Sequence, residues 1–253
     1  SCFLNFYICN QNLVMKKIFI FLGIVLILCS FNRGSSKPIP AGEKLVYAGS
    51  YNMSGLMTHL AQVTMSTENV STSKNQYLHL SCELTTFSKW DKFFKIRDLY
   101  ETYVTPGSLK PNLYKRSIDE GGYTKKEKYV FKGTSVTSTA KKRNKPETVR
   151  TFTIGANTVD AITLLYKVRQ LDLSQMKTGQ TKAFTIVFDE KQISVSLKYM
   201  GKETIAAGNL GSKSCHKLSI GAKTDALRGK DKNLIWLTAD EHQVPALMKS
   251  CAI

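Results

Sequence analysis

The feature that most restricts the fold of this chain is a repeated alternation of apolar and polar side chains with a period of two residues. It is clearest between Gln192 and Tyr199, where every second residue is apolar: Ile193, Val195, Leu197 and Tyr199. Successive side chains of a β-strand point to opposite faces of the sheet, so this pattern places one face in a core and the other in water. The sequence therefore predicts antiparallel sheets with one buried face.

Strand-like segments recur along the chain, and one segment follows helical spacing instead. Turn signals that contain Gly or Pro separate about a dozen strand-like segments. From Thr158 to Leu171 the apolar residues fall on one face of a helix, at Ala161, Leu164, Leu165, Val168 and Leu171. Asn157 or Thr158 could cap its start by accepting a backbone hydrogen bond. We predict a mainly β fold in which antiparallel sheets form an open or incomplete barrel or sandwich, with one packed α-helix at about Thr158 to Leu171.

The N-terminal region has the composition of a secretory leader. A basic start at Lys16 and Lys17 precedes an apolar run from Ile18 to Leu28, which is the layout of a cleavable signal peptide. The run is shorter than the roughly 20 residues of a membrane-spanning helix, although an uncleaved anchor is the alternative. We predict upstream sequence that is not translated in the cell at residues 1–14, a signal peptide at 15–36, a linker at 37–41 and a single β-rich domain at 42–253.

The cysteines bear on lipidation and on the number of disulfides. Cys29 ends the apolar run of the leader, so lipidation at Cys29 is an alternative to a soluble exported form, although Leu28 stands where a small residue is expected. Cys82, Cys215 and Cys251 remain in the predicted domain. An odd number allows at most one disulfide and leaves a free thiol, so the chain is not a disulfide scaffold.

The chain is strongly basic, with a formal net charge of +17. Such a balance attracts anionic partners, of which phosphate-bearing lipid, acidic polysaccharide and nucleic acid are the common classes. The predicted export makes nucleic acid the least suitable of these, and we predict no nucleic-acid binding. The one basic run, from Lys141 to Lys145, lies between two strand-like segments, which favours a solvated hairpin loop over a binding patch.

Several short stretches resemble those of one exported bacterial family. They are GEKLVY at 42–47, WDKFFKIRD at 90–98, LYKR at 113–116, GKET at 201–204 and IWLTAD at 235–240. They keep their order from Pro38 to Met248 and resemble domain of unknown function 3108, as found in Bacteroides-type Gram-negative bacteria. The resemblance implies a periplasmic or outer-membrane-associated β-rich domain and no particular activity. The family pattern continues beyond Pro245 into further strands, so we expect this chain to be truncated at its C-terminus, with a shifted reading frame as the alternative.

No motif indicates catalysis, metal binding or a cofactor. The four histidines, His59, His79, His216 and His242, have no second ligand at a spacing that would place both on one side of a metal ion. The sequence also lacks a nucleophile elbow and a glycine-rich loop that opens a helix. We therefore predict no catalytic residue, no metal site and no cofactor.

One grouping of aromatic and arginine side chains could line a ligand site. Its members are Trp90, Phe94, Arg97, Tyr100, Tyr114 and Arg116. Aromatic walls with a guanidinium group suit an anionic head group. The alternative is that the aromatic side chains belong to the core and the arginines cover its edge.

These observations lead to one main functional hypothesis and two alternatives. We expect a non-catalytic module of the cell envelope, located in the periplasm or at the outer membrane, that binds an amphipathic or anionic ligand or a partner protein. The ligand would be a lipid, a lipoprotein or a glycan, the partner an outer-membrane protein, and peripheral or lipid-anchored membrane association would fit. The first alternative is a hydrolase of envelope polymers that uses Asp98, Glu101 and Asp240. The second alternative is a structural docking module.

Overall fold

The computed structural model describes residues 37–53, 56–222 and 233–249, and the first β-sheet takes up a little more than half of this part of the chain. Its eight strands are antiparallel, and each pairs with the next along the chain. They are β1 (Lys44–Met53), β2 (Leu56–Ser71), β3 (Gln76–Thr86), β4 (Arg97–Thr105), β5 (Lys110–Glu120), β6 (Tyr123–Lys132), β7 (Ser135–Lys142) and β8 (Thr148–Thr153). The predicted signal peptide at 15–36, with Cys29, lies outside the described residues.

The second sheet has five antiparallel strands in the order β13-β12-β11-β10-β9. They are β9 (Thr181–Phe188), β10 (Lys191–Ala206), β11 (Ser212–Ala222), β12 (Leu234–Thr238) and β13 (Pro245–Lys249). Among the described residues, the two outer strands of each sheet do not pair with each other, so both sheets are open. The described residues form two α-helices, α1 (Ser88–Asp91), before β4, and α2 (Ala161–Arg169), before β9, and two short 3-10 helices, Leu173–Gln175 and Gly208–Leu210. The prediction of a mainly β fold with open antiparallel sheets and one packed helix is confirmed.

Helix α2 packs between the two sheets. It contacts β3 and β4 of the first sheet and β9 of the second. Leu164 and Val168 belong to the core of the second sheet, whereas Ile162 and Tyr166 belong to the core of the first. The predicted apolar face is therefore only part of the buried surface of the helix, because the sheets cover it from two sides.

The helix is shorter than the predicted segment from Thr158 to Leu171. Val159 forms a parallel bridge with Ile186 of β9, which requires extended backbone at this point. The chain becomes helical only after this bridge, and α2 spans Ala161–Arg169. A single-sequence pattern does not contain this constraint, because the bridge depends on a strand that follows much later.

A buried aspartate, Asp160, caps the start of α2. One oxygen of its carboxylate accepts the backbone N–H of Thr163 at 2.8 Å. The other accepts the hydroxyl groups of Thr163 at 2.6 Å and of Thr102 on β4 at 2.9 Å. The predicted caps, Asn157 and Thr158, are wrong, because both precede the extended residue at 159. Asp160 therefore fixes the helix to the first sheet as well as starting it.

An arginine at the other end of α2 connects the edges of both sheets. The buried guanidinium of Arg169 has its two terminal nitrogens 2.6 and 2.7 Å from the carboxylate oxygens of Glu43. It also donates to the backbone carbonyl of His242 at 3.2 Å. Glu43 directly precedes β1, and His242 lies in the turn before β13. A cation at this end of a helix is also favoured by the helix dipole.

Strand β10 combines two segments that the sequence predicts as separate strands, from Gln192 to Tyr199 and from Glu203 to Asn209. Its register with β11 shifts between Tyr199 and Gly201. Gly201 has a φ of +105°, a conformation that side chains rarely adopt. The resulting bulge bends the strand and lets it continue to Ala206 instead of ending it.

Neither α-helix of the described residues has the length and hydropathy of a transmembrane segment. The two cysteines of the predicted domain that are described, Cys82 on β3 and Cys215 on β11, lie in different sheets and are free thiols. Cys251 lies outside the described residues.

The first prediction concerns the cap at Asp160. Replacing Asp160 by Ala leaves the Thr163 N–H and the Thr102 hydroxyl without their acceptor inside the protein, and we expect the free energy of unfolding to fall by about 2–4 kcal/mol. Urea unfolding measures the change. Asp160→Asn keeps one acceptor oxygen and should cost less, and Asp172→Ala at an exposed position is the control. An equal, small effect of Asp160→Ala and Asp172→Ala would contradict the role of the cap.

Candidate functional site

The structure divides the six predicted ligand residues into two groups. Tyr100 on β4 lies directly opposite Arg116 on β5, and Tyr114 is two residues from Arg116, so these three side chains share one face of the sheet. Tyr114 and Arg116 are buried, and Tyr100 is half-buried. This face points toward the second sheet, because Tyr114 packs in one core with Val187 of β9.

The other three residues lie around α1, at one end of the first sheet. The indole N–H of Trp90 donates to the backbone carbonyl of His59 at 3.0 Å. The ring of Phe94 covers Gly121 and is still 53% exposed. The guanidinium of Arg97 forms an ion pair with Asp91 at 2.5 Å, so its positive charge is already paired within the protein. A role for the six residues in binding a ligand stays a prediction.

Arg116 belongs to a cluster of four charged side chains between the two sheets, which we call the Arg116 cluster. A terminal nitrogen of Arg116 lies 2.8 Å from the Glu127 carboxylate and also contacts Asp189. Lys125 lies 2.9 Å from Glu127 and 2.6 Å from Asp189. The guanidinium also stacks over the ring of Phe188 at 4.3 Å. Buried charges of this kind are stable only when each is paired.

The tip of the β9–β10 hairpin supplies Asp189, and its backbone is unusual. Asp189 and Glu190 are the two turn residues, and both have positive φ angles, 47° and 61°. Such turns favour Asn and Gly, because other residues are strained in this conformation. Contacts with the first sheet offset the strain: the Glu190 N–H donates to the Tyr129 hydroxyl at 2.9 Å, and the Ser138 hydroxyl donates to the Glu190 carboxylate at 2.8 Å.

Sequence reasoning identified Arg116 but missed Lys125 and Glu127. Both lie an even number of residues from Tyr129 on β6, so their side chains point to the same face as Tyr129. The alternation alone could therefore have placed them on the buried face. The pairing depended on the turn. A four-residue loop at 119–122 would set Arg116 opposite Lys125, whereas the observed two-residue turn sets Arg116 opposite Glu127.

A half-open groove of about 680 Å³ lies between the first sheet and β9. None of the six predicted residues is among those that line it. Its lining side chains come from the β4–β5 turn, the ends of β5 and β6, the segment before α2, α2 itself and β9; they include Ser108, Lys110, Pro111, Phe131, Val159, Lys167 and Phe184. The site is therefore built from segments that are distant in sequence.

The groove combines aromatic ring surface and polar groups with positive charge. Phe131 and Phe184 are half-buried and present ring surface to it. Lys110 and Lys167 provide two ammonium groups, and no acidic residue is among the described residues that line the groove. Burial lowers the pKa of Lys167, and its ammonium group donates to the Ser108 carbonyl at 3.0 Å. An anion entering the groove would meet cations without competing carboxylates.

The three carboxylates of the hydrolase alternative do not come together. Asp98 and Glu101 lie on opposite faces of β4, where Glu101 pairs with His79 at 3.1 Å. Asp240 accepts hydrogen bonds within its own turn, from the Thr238 hydroxyl among others, at 2.8 Å. The geometry therefore gives this alternative no shared site, and the described residues contain no cluster of metal ligands.

Asp98, which lies on the same face of β4 as Tyr100, nevertheless has an altered acidity. It is 2% exposed, and burial raises its pKa to about 6. A backbone hydrogen bond from Asp119 at 3.1 Å opposes this rise, and a hydrogen bond shared with the Glu120 carboxyl adds to it. The neutral form of Asp98 is thus favoured in the folded protein relative to the unfolded chain.

The second prediction concerns the Arg116 cluster. Asp189→Asn keeps a residue that tolerates the positive φ but removes the charge that faces Arg116 and Lys125. We expect the free energy of unfolding at neutral pH to fall by about 1–3 kcal/mol, and by less at about 1 M salt, because the Asp189 side chain is 54% exposed. Urea unfolding tests this, with Glu147→Gln in the exposed β7–β8 loop as the control.

The pH dependence of the wild-type protein's stability is a second test of the Arg116 cluster. Burial opposes ionisation of Asp189, but hydrogen bonds from Lys125 and Arg116 outweigh it and hold the pKa of Asp189 below its usual value. Its contribution to stability is therefore present above about pH 4 and lost as the pH falls further. An unfolding free energy of Asp189→Asn that equals that of the wild type at neutral pH would contradict the cluster's role.

The third prediction concerns Asp98, whose contribution to stability changes with pH in the direction opposite to that of Asp189. A folded pKa of about 6, above the unfolded value, means that the wild type loses stability as the pH rises from about 4 to about 6. Asp98→Asn keeps an acceptor for the Asp119 N–H and cannot ionise, so it should gain up to about 3 kcal/mol over the wild type at neutral pH and little at about pH 4. Urea unfolding at both pH values tests this. A pH-independent difference would be the contrary result.

Comparisons with known proteins agree with the fold and define the family. No curated protein sequence matches the chain. Its structure is similar to the crystal structure of a beta-barrel-like protein of domain of unknown function DUF1849 from Brucella abortus, with a TM-score of 0.50, 7% identity, and coverage of 82% of this chain and 90% of that chain. This likeness concerns the fold alone. The family described as "Protein of unknown function (DUF3108)" matches residues 47–251, so the resemblance seen in the sequence is confirmed and the chain belongs to the DUF3108 family.

Proposed function

We propose that the protein is a non-catalytic binding protein of the cell envelope, and that its groove takes a small amphipathic anion. The ligand would have an apolar body and a carboxylate or phosphate head. The observation that carries the proposal is that one groove is lined both by Lys110 and Lys167 and by the rings of Phe131 and Phe184.

The size of the groove supports a single small ligand. Pockets for small molecules have volumes of about 300–1,000 Å³ and are lined mainly by apolar and aromatic groups with a few polar ones. The groove, at about 680 Å³, lies within this range, and its lining joins the rings of Phe131 and Phe184 to polar side chains that include Asn157, Thr185 and Ser194. An acyl chain would cover the phenylalanine rings, and its head would lie near the lysines.

The charge of the groove supports an anionic head group over a neutral or cationic one. Lys110 is exposed and Lys167 is half-buried, so one ammonium group can guide the ligand and the other can bind it with less competition from water. The net charge of +17 favours the approach of anions to the protein as a whole. Export to the envelope, expected from the predicted leader at 15–36, would bring the protein to a compartment rich in such lipids.

The fourth prediction tests this ligand class. We expect the full chain to bind dodecanoate or dodecyl phosphate in titration calorimetry, and to bind dodecyl maltoside or dodecyltrimethylammonium much more weakly. Lys110→Gln and Lys167→Gln should each weaken binding of the anions by roughly tenfold, because each removes a charge-assisted contact. Ala156→Trp should block the groove sterically, since Ala156 is an exposed lining residue.

A matched control separates the groove from general charge. Lys145→Gln makes the same charge change in the exposed β7–β8 loop, which does not line the groove, and should leave binding unchanged. Equal binding of the anionic and cationic detergents, or equal losses for Lys145→Gln and Lys167→Gln, would refute the proposal. Preferred binding of the maltoside would instead favour a glycan ligand.

A further inference from the structure

The end of the first sheet that carries α1 has exposed aromatic and aliphatic side chains that the groove does not use. In an up-and-down sheet alternate connections lie at the same end, so the last residues of β1, the first residues of β2, the α1 segment, the β5–β6 turn and the β7–β8 turn lie at one end of the first sheet. We call this the α1 end. The groove lies at the opposite end, since the β4–β5 and β6–β7 turns line it through Ser108 and Gly133.

The α1 segment is fixed in place but leaves its apolar side chains in water. The Trp90 indole donates to the carbonyl of His59 on β2, and the Phe87 N–H donates to the carbonyl of Leu60. Phe93 is 75% exposed and Phe94 is 53% exposed. Two neighbouring phenylalanine rings in water on a rigid support are costly and indicate a surface that another phase or molecule covers.

Neighbouring residues of the β1–β2 hairpin extend this apolar surface. Tyr51, Leu56 and Met57 are each more than half exposed. They lie within three residues of the segment of β2 that holds α1, because Tyr51 is opposite Thr58 in the register. At about 3.3 Å per residue, they are within roughly 10 Å of that segment along the strand.

Lysines lie among these apolar side chains. Lys89, Lys92 and Lys95 are exposed and alternate with the aromatic residues of the α1 segment. The carboxylate of Asp91, within the same segment, is paired with Arg97 at 2.5 Å. The end of β7 and the β7–β8 turn add the exposed basic side chains of Lys141, Lys142, Arg143 and Lys145 and one carboxylate, Glu147. The end of β5 adds the half-buried carboxylates of Asp119 and Glu120, so the basic side chains remain in excess. The α1 end is therefore both apolar and positive.

We propose that the α1 end docks on the surface of an anionic lipid bilayer. Aromatic side chains settle at the level of the head groups, and each nearby lysine is attracted to anionic lipids. A protein partner fits less well, because lysine is depleted in protein–protein interfaces and would lose its hydration there. This proposal does not depend on the ligand of the groove, which lies at the other end of the sheet.

The fifth prediction uses vesicles. We expect the full chain to sediment with vesicles that contain phosphatidylglycerol and to bind phosphatidylcholine vesicles much more weakly. The double variant Phe93→Ser/Phe94→Ser and the triple variant Lys89→Gln/Lys92→Gln/Lys95→Gln should each weaken binding to the anionic vesicles tenfold or more. All five positions are exposed, so far-UV circular dichroism should show unchanged folding.

Two controls test whether the effect belongs to this surface. Leu210→Ser/Met248→Ser removes two exposed apolar side chains that belong to the region of the second sheet, and Lys177→Gln/Lys182→Gln/Lys213→Gln removes three exposed charges from the second sheet and its preceding turn. Neither should weaken binding as much. If they weaken it as much as the α1-end variants, attraction is general and the proposal is wrong.

Fluorescence gives a second measurement that binding elsewhere on the chain cannot imitate. Brominated phosphatidylglycerol quenches a tryptophan only when the ring enters the bilayer. Trp90 lies beside Phe93, with ring centres 5.9 Å apart, whereas Trp236 is 3% exposed in the second sheet. We expect quenching that Trp90→Phe abolishes. Absence of quenching from bound protein would overturn the proposal, even if the chain still sediments with vesicles.

Discussion

The structure depends on the burial of one helix against two sheets at the same time. The backbone bridge between Val159 and Ile186 joins the segment before α2 to β9, and not a strand of the first sheet to a strand of the second. Cohesion therefore comes from side chains, with Leu164 and Val168 on one side of α2 and Ile162 and Tyr166 on the other. Moving the helix would expose both cores together, so its position restricts every other contact between the sheets.

Three groups of charged side chains fix the relative positions of α2, the β9–β10 turn and the first sheet, which apolar packing alone does not determine. Asp160 attaches the start of α2 to β4, Arg169 attaches its end to Glu43 beside β1, and the Arg116 cluster attaches the β9–β10 turn to the middle of the first sheet. Replacing such groups by apolar ones can be stabilising. Their contribution here is to the placement of the elements, because an ion pair or a hydrogen bond forms only when its two groups are correctly aligned.

The β9–β10 turn shows how far tertiary contacts override local preference. Asp189 and Glu190 occupy left-handed positions where Asn and Gly are favoured. Both carboxylates and one backbone N–H of this turn are bound by the first sheet. The strain is therefore offset by contacts that only the folded chain provides, and a local rule applied to this turn would have predicted different residues.

The sequence predicts the elements of this fold better than their junctions. The alternation of Ile193 and Val195 gives β10, and the spacing of Leu164 and Val168 gives α2, because each pattern reflects a face that is buried throughout its element. The start of α2 was misplaced because Val159 pairs with a later strand. Arg116 was recognised, but its partner depended on the length of one turn.

The groove could not be predicted, for a related reason. Lys110 and Lys167 are 57 residues apart, and nothing in either local pattern distinguishes them from other lysines. They meet because α2 lies between the sheets and the β4–β5 turn reaches it, as the hydrogen bond from Lys167 to Ser108 shows. Residues that are distant in the chain become a site only through the position of the helix.

The same geometry places the two proposed binding surfaces at opposite ends of the first sheet. Strand β5 has 11 residues, so the groove and the α1 end are separated by about 35 Å along the strand direction. A protein docked on a bilayer through Phe93 and Phe94 would hold its groove away from the membrane. A lipid in that groove would have left the bilayer completely, and its apolar chain would be shielded from water by Phe131 and Phe184 instead. Such an arrangement suits presentation of a ligand to a partner in the aqueous space more than extraction of a lipid directly beneath the protein.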